Sequence, residues 1–212
     1  MHVGIDFDNT IVSYDRLFHR VCLERGWIPP SLPASKSEVR NYLRSAGRED
    51  DWTGLQGYVY GARMDEADIF QGVKDFFLAC QTHGLPVSII SHKTLRPYLG
   101  KPYDLHQAAM AWLEKQGFTD PAAMALPRAR IYFELTKNDK LRRIAAAGCT
   151  HFIDDLPEFL AEPDFPAGVE RLLFDPNHHY PDERRFVRFG SWAEIGQFFR
   201  LRDKEARNDA PA

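Results

Sequence analysis

Five short apolar runs constrain this chain more than any other feature, because most of them close on an oxygen-bearing side chain. Residues 3–7 carry Asp6 and run into Asp8. Residues 85–90 lead to Ser91, residues 151–153 to Asp154 and Asp155, and residues 171–174 to Asp175; a shorter run covers 131–133. Runs of this length, rich in β-branched residues, fit strands buried on both faces. Stretches of helical character lie between them. From Thr10 onward Leu17, Phe18, Val21 and Cys22 share one face. Helices are also expected over 37–45 with Ser37 as N-cap, over 70–80 with Gly84 as the stop, over 105–116 ending at Gly117, over 139–147 closed by Gly148, and over 192–201. Residues 52–64, aromatic and rich in glycine, show no clear period.

Strand–helix alternation at this spacing predicts an α/β fold, a three-layer Rossmann-like parallel sheet covered on both faces. Ligands of such sheets bind beyond the carboxyl ends of the strands, where the acids and Ser91 fall. The stretch between the first two strands far exceeds the dozen or so residues that a crossover needs. A small helical cap inserted after the first strand is therefore expected. The boundaries are a core of residues 1–10 and 84–202, a cap of 11–83, and a disordered polar tail of 203–212.

The chemistry follows from the residue types. An aspartate is ionised at neutral pH and can attack phosphorus to give an aspartyl-phosphate, the role expected of Asp6. Asp8, two residues on, can protonate the leaving oxygen and then deprotonate water. Asp154 and Asp155 would gather up to four carboxylates at one strand edge. Each close like-charged pair costs roughly 4 kcal/mol at 4 Å and an effective dielectric of 20, so the site calls for a cation. An all-oxygen ligand set with an incoming phosphate selects Mg²⁺, held by Asp6, Asp8 through its main-chain carbonyl, and Asp154 or Asp155. Ser91 and backbone N–H groups near Asn9 and Thr10 are expected to bind phosphoryl oxygens. A lysine should offset developing charge; Lys140 leads, Lys137 is its rival, and Lys93 and Lys101 lie near the same edge. His92 is a further pocket candidate beside Ser91.

These elements in this order resemble the haloacid dehalogenase (HAD) superfamily: Asp6-Phe7-Asp8-Asn9-Thr10, Ile89-Ile90-Ser91, Lys140 or Lys137, and Phe152-Ile153-Asp154-Asp155. The resemblance implies the HAD fold, a C1-type cap and phosphoryl transfer through Asp6. An aspartate at the position of Asp8 accompanies the phosphatases and phosphotransferases, and the dehalogenases lack it. The phosphonatase branch uses a cap lysine, for which Lys36 and Lys74 stand in no recognisable context. Lys101-Pro102-Tyr103 and the helix after it are loosely similar to the deoxyribonucleotidase group. Trp52, Gln56, Tyr58, Tyr60, Arg63 and Met64 are candidates to touch the leaving group, Arg63 foremost as an anion or base contact.

The expected activity is Mg²⁺-dependent hydrolysis of a small phosphomonoester, a nucleotide or sugar phosphate. Transfer to an alcohol acceptor and a non-catalytic binding module are the alternatives. A formal net charge of −3 argues against a nucleic-acid partner. No apolar run reaches the ~18 residues of a membrane span. The opening residues lack a signal-peptide pattern, and the three cysteines, Cys22, Cys80 and Cys149, form no ligand or disulfide pattern. A cytoplasmic monomer or homodimer is the expectation.

Overall fold

In the computed structural model, which describes residues 1–199, the first apolar run forms strand β1 (Val3–Ile5). The chain then turns through Asn9, whose φ of 57° is left-handed, a conformation that asparagine tolerates better than most residues. Strand β2 (Val12–Ser13) follows, so helix α1 (Asp15–Glu24) starts later than its apolar face suggests. Next come α2 (Lys36–Ser45) and α3 (Glu49–Gly61), then a two-residue strand β3 (Asp68–Ile69) antiparallel to β2. The N-cap of α2 is Ser35, whose hydroxyl accepts the Glu38 N–H; Ser37, the expected cap, instead bonds the Ser35 hydroxyl.

The remaining elements build the sheet and its covers. They are α4 (Val73–Thr82), β4 (Val87–His92), α5 (Leu105–Lys115), β5 (Ile131–Glu134), α6 (Lys137–Ala146), β6 (His151–Asp154), α7 (Pro157–Leu160), β7 (Glu170–Phe174) and β8 (Val187–Phe189), with a final helix, α8, over 192–199. Strand β8 has no counterpart among the expected runs. Residues 200–201 of the expected final helix and the expected polar tail lie outside the described residues.

The strand order is β5-β4-β1-β6-β7-β8 with every neighbouring pair parallel. Alternation along the strands creates two cores. Ile89, Ile153 and Leu172 join the apolar cluster that includes Phe76 of α4, Trp112 of α5 and Trp192 of α8. Their neighbours Ile90, Phe152 and Leu173 join Leu141 and Ile144 of α6 and Phe159 of α7. The result is the expected three-layer arrangement. Strand β1 is central: the chain first builds toward β5 on one side and then crosses to β6 on the other, leaving a crevice at the carboxyl ends of β1 and its neighbours.

Helices α1 to α3 hang on the β2–β3 hairpin and pack on one another. Phe18 lies 5.0 Å from Trp52, and Tyr60 packs edge-on to Tyr14 at 4.9 Å. Helix α3 forms despite three interior or terminal glycines, which is why it showed no period. Each glycine costs a helix up to about 1 kcal/mol, but two of them make room for the loop after β4. A Cβ on Gly57 would lie 2.6 Å from Pro97 Cβ, and one on Gly61 would lie 2.5 Å from Tyr103 Cβ. Around Gly54 there is open space.

Gly54 and Gly61 should therefore respond with opposite signs. Gly54→Ala is expected to stabilise the protein by about 0.5–1 kcal/mol through helix propensity. Gly61→Ala should destabilise it by about 1–3 kcal/mol through overpacking. Urea-unfolding midpoints of the two variants measure this, and equal shifts would contradict the close seating of the loop after β4 on Gly61.

Candidate active site

The parallel register pairs Ile5 with Ile153, so the next residue on each strand, Asp6 and Asp154, emerges side by side. Both are buried. Lys140, buried on the first turns of α6, donates to Asp6 Oδ1 and Asp154 Oδ2, each at 2.6 Å. Asp154 Oδ1 accepts the Leu156 N–H at 2.9 Å, and Thr10 donates to Asp155 Oδ1 at 3.4 Å. Lys137, the rival lysine, is the first residue of α6, nearly a turn before Lys140; it pairs with Glu162 at 3.2 Å and lines the recess at the strand ends. Position along the helix brings Lys140, and not Lys137, within hydrogen-bond distance of Asp6 and Asp154.

Asp6, Asp154 and Asp155 each offer an oxygen within 4.8 Å of the others. One ammonium cannot neutralise three carboxylates. Burial pushes the Asp6 carboxyl up to about 7, and the negative charges of Asp154 and Asp8 add to this against the pull of Lys140. Burial and the charges of Asp154 and Asp6 hold Asp155 well above the usual carboxylate range. An all-carboxylate set with surplus negative charge fits a hard divalent cation.

Asp8 has the opposite surroundings. Burial pushes its carboxyl up, but Lys93, the Tyr14 hydroxyl and Lys36 outweigh burial and hold it below its ordinary value. Lys93 Nζ donates to both Asp8 oxygens at 2.9 Å, and the Tyr14 hydroxyl donates to Oδ1 at 2.5 Å. The Lys93 ammonium also stands 4.9 Å from the Tyr60 ring centre. Lys36 donates to Asn9 Oδ1 at 3.3 Å; burial opposes its charge, but the Tyr60 hydroxyl, Asp8 and Asp155 more than compensate and raise its pKa.

A recess of about 150 Å³ brings together Asp6, Asp8, Asn9, Ser91, His92, Lys140 and Asp155. His92 is exposed at its edge and bonds the Leu135 carbonyl at 3.2 Å. Lys93, an expected ligand contact, spends its ammonium on Asp8. Thr10, expected to act through its backbone N–H, is buried; its hydroxyl braces Asp155 and its carbonyl accepts the Trp192 indole N–H. Arg63 is not brought to the site: its guanidinium is bound by Glu24 and Glu66 on the surface. Tyr14, Lys36 as a cation at the strand end, and the Tyr60 side chain as partner of two lysines are what sequence reasoning missed. No local pattern marks them, because the hairpin neck and the packing of α1 to α3 bring them in.

The chain matches no protein-family model, and no curated protein matches its sequence. Solved structures do match. A HAD family hydrolase from Deinococcus radiodurans R1, with bound phosphate and sodium, is 19% identical, with 100% of this chain and 98% of that one covered at a TM-score of 0.57. A predicted phosphoglycolate phosphatase from Haemophilus somnus 129pt is 13% identical, with 93% and 97% covered at 0.54. An L-2-haloacid dehalogenase is 10% identical, with 94% and 98% covered at 0.56. Phosphatase and dehalogenase share this architecture, so the likeness speaks to fold and not to reaction. The chain has the fold of the haloacid dehalogenase superfamily hydrolases.

Proposed function

We propose that this protein is a Mg²⁺-dependent phosphatase of small phosphomonoesters that works through an aspartyl-phosphate on Asp6. The observation that carries the reading is the second carboxylate. Asp8 stands beside the Asp6–Lys140–Asp154 cluster, held by Lys93 and Tyr14, where proton transfer to and from a reacting oxygen is possible. A halide leaves without a proton and would need no such group, which disfavours dehalogenation.

In the proposed reaction an Asp6 oxygen attacks phosphorus and the bond from phosphorus to the leaving oxygen breaks. Asp8 gives that oxygen a proton. Water then attacks phosphorus, Asp8 takes the water's proton, and the bond to Asp6 breaks to release phosphate. Lys140 fixes the Asp6 carboxylate, and Ser91 faces the recess where phosphoryl oxygens would sit. Asp6, Asp154, Asp155 and the Asp8 carbonyl would hold Mg²⁺, which when bound supplies charge that offsets the phosphate dianion and the crowded carboxylates. Helices α1 to α3 act as a cap on this reading, with its division from the core at the β2–β3 hairpin. The raised pKa of Lys36 keeps it a cation, which favours electrostatic binding over imine formation. The alternatives, transfer to an alcohol and a non-catalytic module, differ in product: a phosphorylated acceptor or none.

Asp6→Asn should lower turnover of p-nitrophenyl phosphate by at least about 10³-fold with the fold intact by circular dichroism; unchanged turnover would exclude Asp6 as nucleophile. Mg²⁺ at about 100 times its Kd should raise the thermal midpoint by about 5–10 °C. Asp155→Asn should remove most of that rise, and a midpoint insensitive to Mg²⁺ in the parent protein would rule out the metal.

Lys140→Met leaves Asp6 and Asp154 buried without their shared cation, at a cost of about 3–5 kcal/mol when both are ionised. The folded-state pKa of Asp6 lies above its unfolded value of 3.8 even with Lys140 in place, and loss of that cation raises it further. The native state of the variant therefore binds more protons than the unfolded chain and loses stability as pH rises. The deficit, read from urea unfolding in chelator, should be larger at about pH 8 than at about pH 5. A pH-independent deficit would contradict the ion triad.

A further inference from the structure

The recess of about 150 Å³ accommodates a phosphoryl group but is smaller than the roughly 300–1,000 Å³ of small-molecule sites. Asn9, Asp155 and Leu156 also line a second cavity of about 460 Å³, which lies between α2 and the loop after β7. The body of a substrate whose phosphate sits on Asp6 has this cleft beside it.

The charges of the cleft are uneven. Lys36 and Arg40, four residues apart on α2, share one face of the helix and both line the cleft. Among the described residues neither forms a salt bridge. Lys36 donates to the Asn9 amide oxygen at 3.3 Å, with the Tyr60 hydroxyl and the charges of Asp8 and Asp155 also acting on it, and Arg40 donates to the Asn41 amide oxygen at 3.4 Å. Three of the carboxylates that line the cleft are already engaged. Asp175 accepts the His179 and Tyr180 N–H groups and Arg188, Asp15 accepts the Lys36 N–H and Asn177, and Asp155 accepts the Thr10 hydroxyl. Glu38, which also lines the cleft, is exposed.

Resting on the phosphatase reading, we infer that Lys36 and Arg40 form a subsite for a second anionic group on the leaving portion of the substrate. The substrate class is then a phosphomonoester that carries a further carboxylate or phosphate, held with its reacting phosphate on Asp6 and its second anion against α2.

Two matched pairs test this: 3-phosphoglycerate against glycerol 3-phosphate, and fructose 1,6-bisphosphate against fructose 6-phosphate. The protein should favour the more anionic member of at least one pair by about tenfold or more in kcat/KM, the scale of a hydrogen bond to a charged group. The pair that shows the preference distinguishes carboxylate from phosphate. Lys36→Met and Arg40→Met should each reduce that preference several-fold, and Lys36→Arg should retain it. No preference in either pair, or equal losses on both members, overturns the subsite. Calorimetric titration of the four compounds into the Asp6→Asn protein reads the same preference without turnover. A preference there with no hydrolysis of any compound by the parent protein would sink the phosphatase reading and leave the subsite standing; equal affinities within both pairs would sink the subsite.

Discussion

The contact on which the rest of this site depends is Lys140 between Asp6 and Asp154, 2.6 Å from each. It ties three sheet-level decisions together: the register of β1 against β6, the crossover that brings α6 back over the sheet, and the exit of both strands at one edge. A buried ion triad is a poor stabiliser, because desolvation offsets most of its Coulombic gain. Apolar side chains of similar volume would pack that position at no such cost. The arrangement makes sense as chemistry: it holds two carboxylates in fixed positions beside a third, Asp155, whose charge burial and those same carboxylates oppose.

A second constraint is the neck. The β2–β3 hairpin begins three residues after Asn9 turns the chain, so α1 to α3 are anchored directly at the strand end that carries Asp6 and Asp8. That short distance lets the N-cap of α1 deliver Tyr14 to Asp8 and lets the start of α2 deliver Lys36 to Asn9. The loop after β4 closes the other side, with Lys93 on Asp8 and Pro97 and Tyr103 seated on the glycines of α3. The inserted helices are thus fixed at two places, and the cleft between α2 and the loop after β7 is what remains open.

The sheet was legible in the sequence because buried parallel strands are written as continuous apolar runs, and their terminal acids mark which end faces the ligand. Asp6, Asp8, Asp154 and the preference for Lys140 follow from strand ends and helix position. Other features were not legible. Helix α3 reads as patternless because its glycines serve a neighbouring loop and not the helix. Strand β8, with Val187 exposed and Arg188 between its apolar residues, lacks the signature of a buried run. Arg63 looked like a ligand contact because an arginine near aromatic residues often is one, yet Glu24, remote in sequence, and Glu66 bind it at the surface. Long-range side-chain pairing leaves no periodic trace, and the roles of Lys36 and Tyr14 were hidden for the same reason.

The two carboxyls of the first strand end are offset in the opposite sense to the one that the proposed chemistry uses. Burial and neighbouring acids raise Asp6, the proposed nucleophile, whereas Lys93 and Tyr14 lower Asp8, the proposed acid. Environments that push two pKa values apart usually assign the roles of acid and base, so the offset needs a physical account. The charges of the ligands provide one. A divalent cation against Asp155 and Asp6 would favour the ionised form of Asp6, and a phosphate dianion beside Asp8 would compete for Lys93 and favour the protonated form of Asp8. Each shift has the sign that the proposed reaction requires. On the proposed mechanism, the ionised form of Asp8 is the one that takes a proton from water, and its protonated form is the one that serves the leaving oxygen.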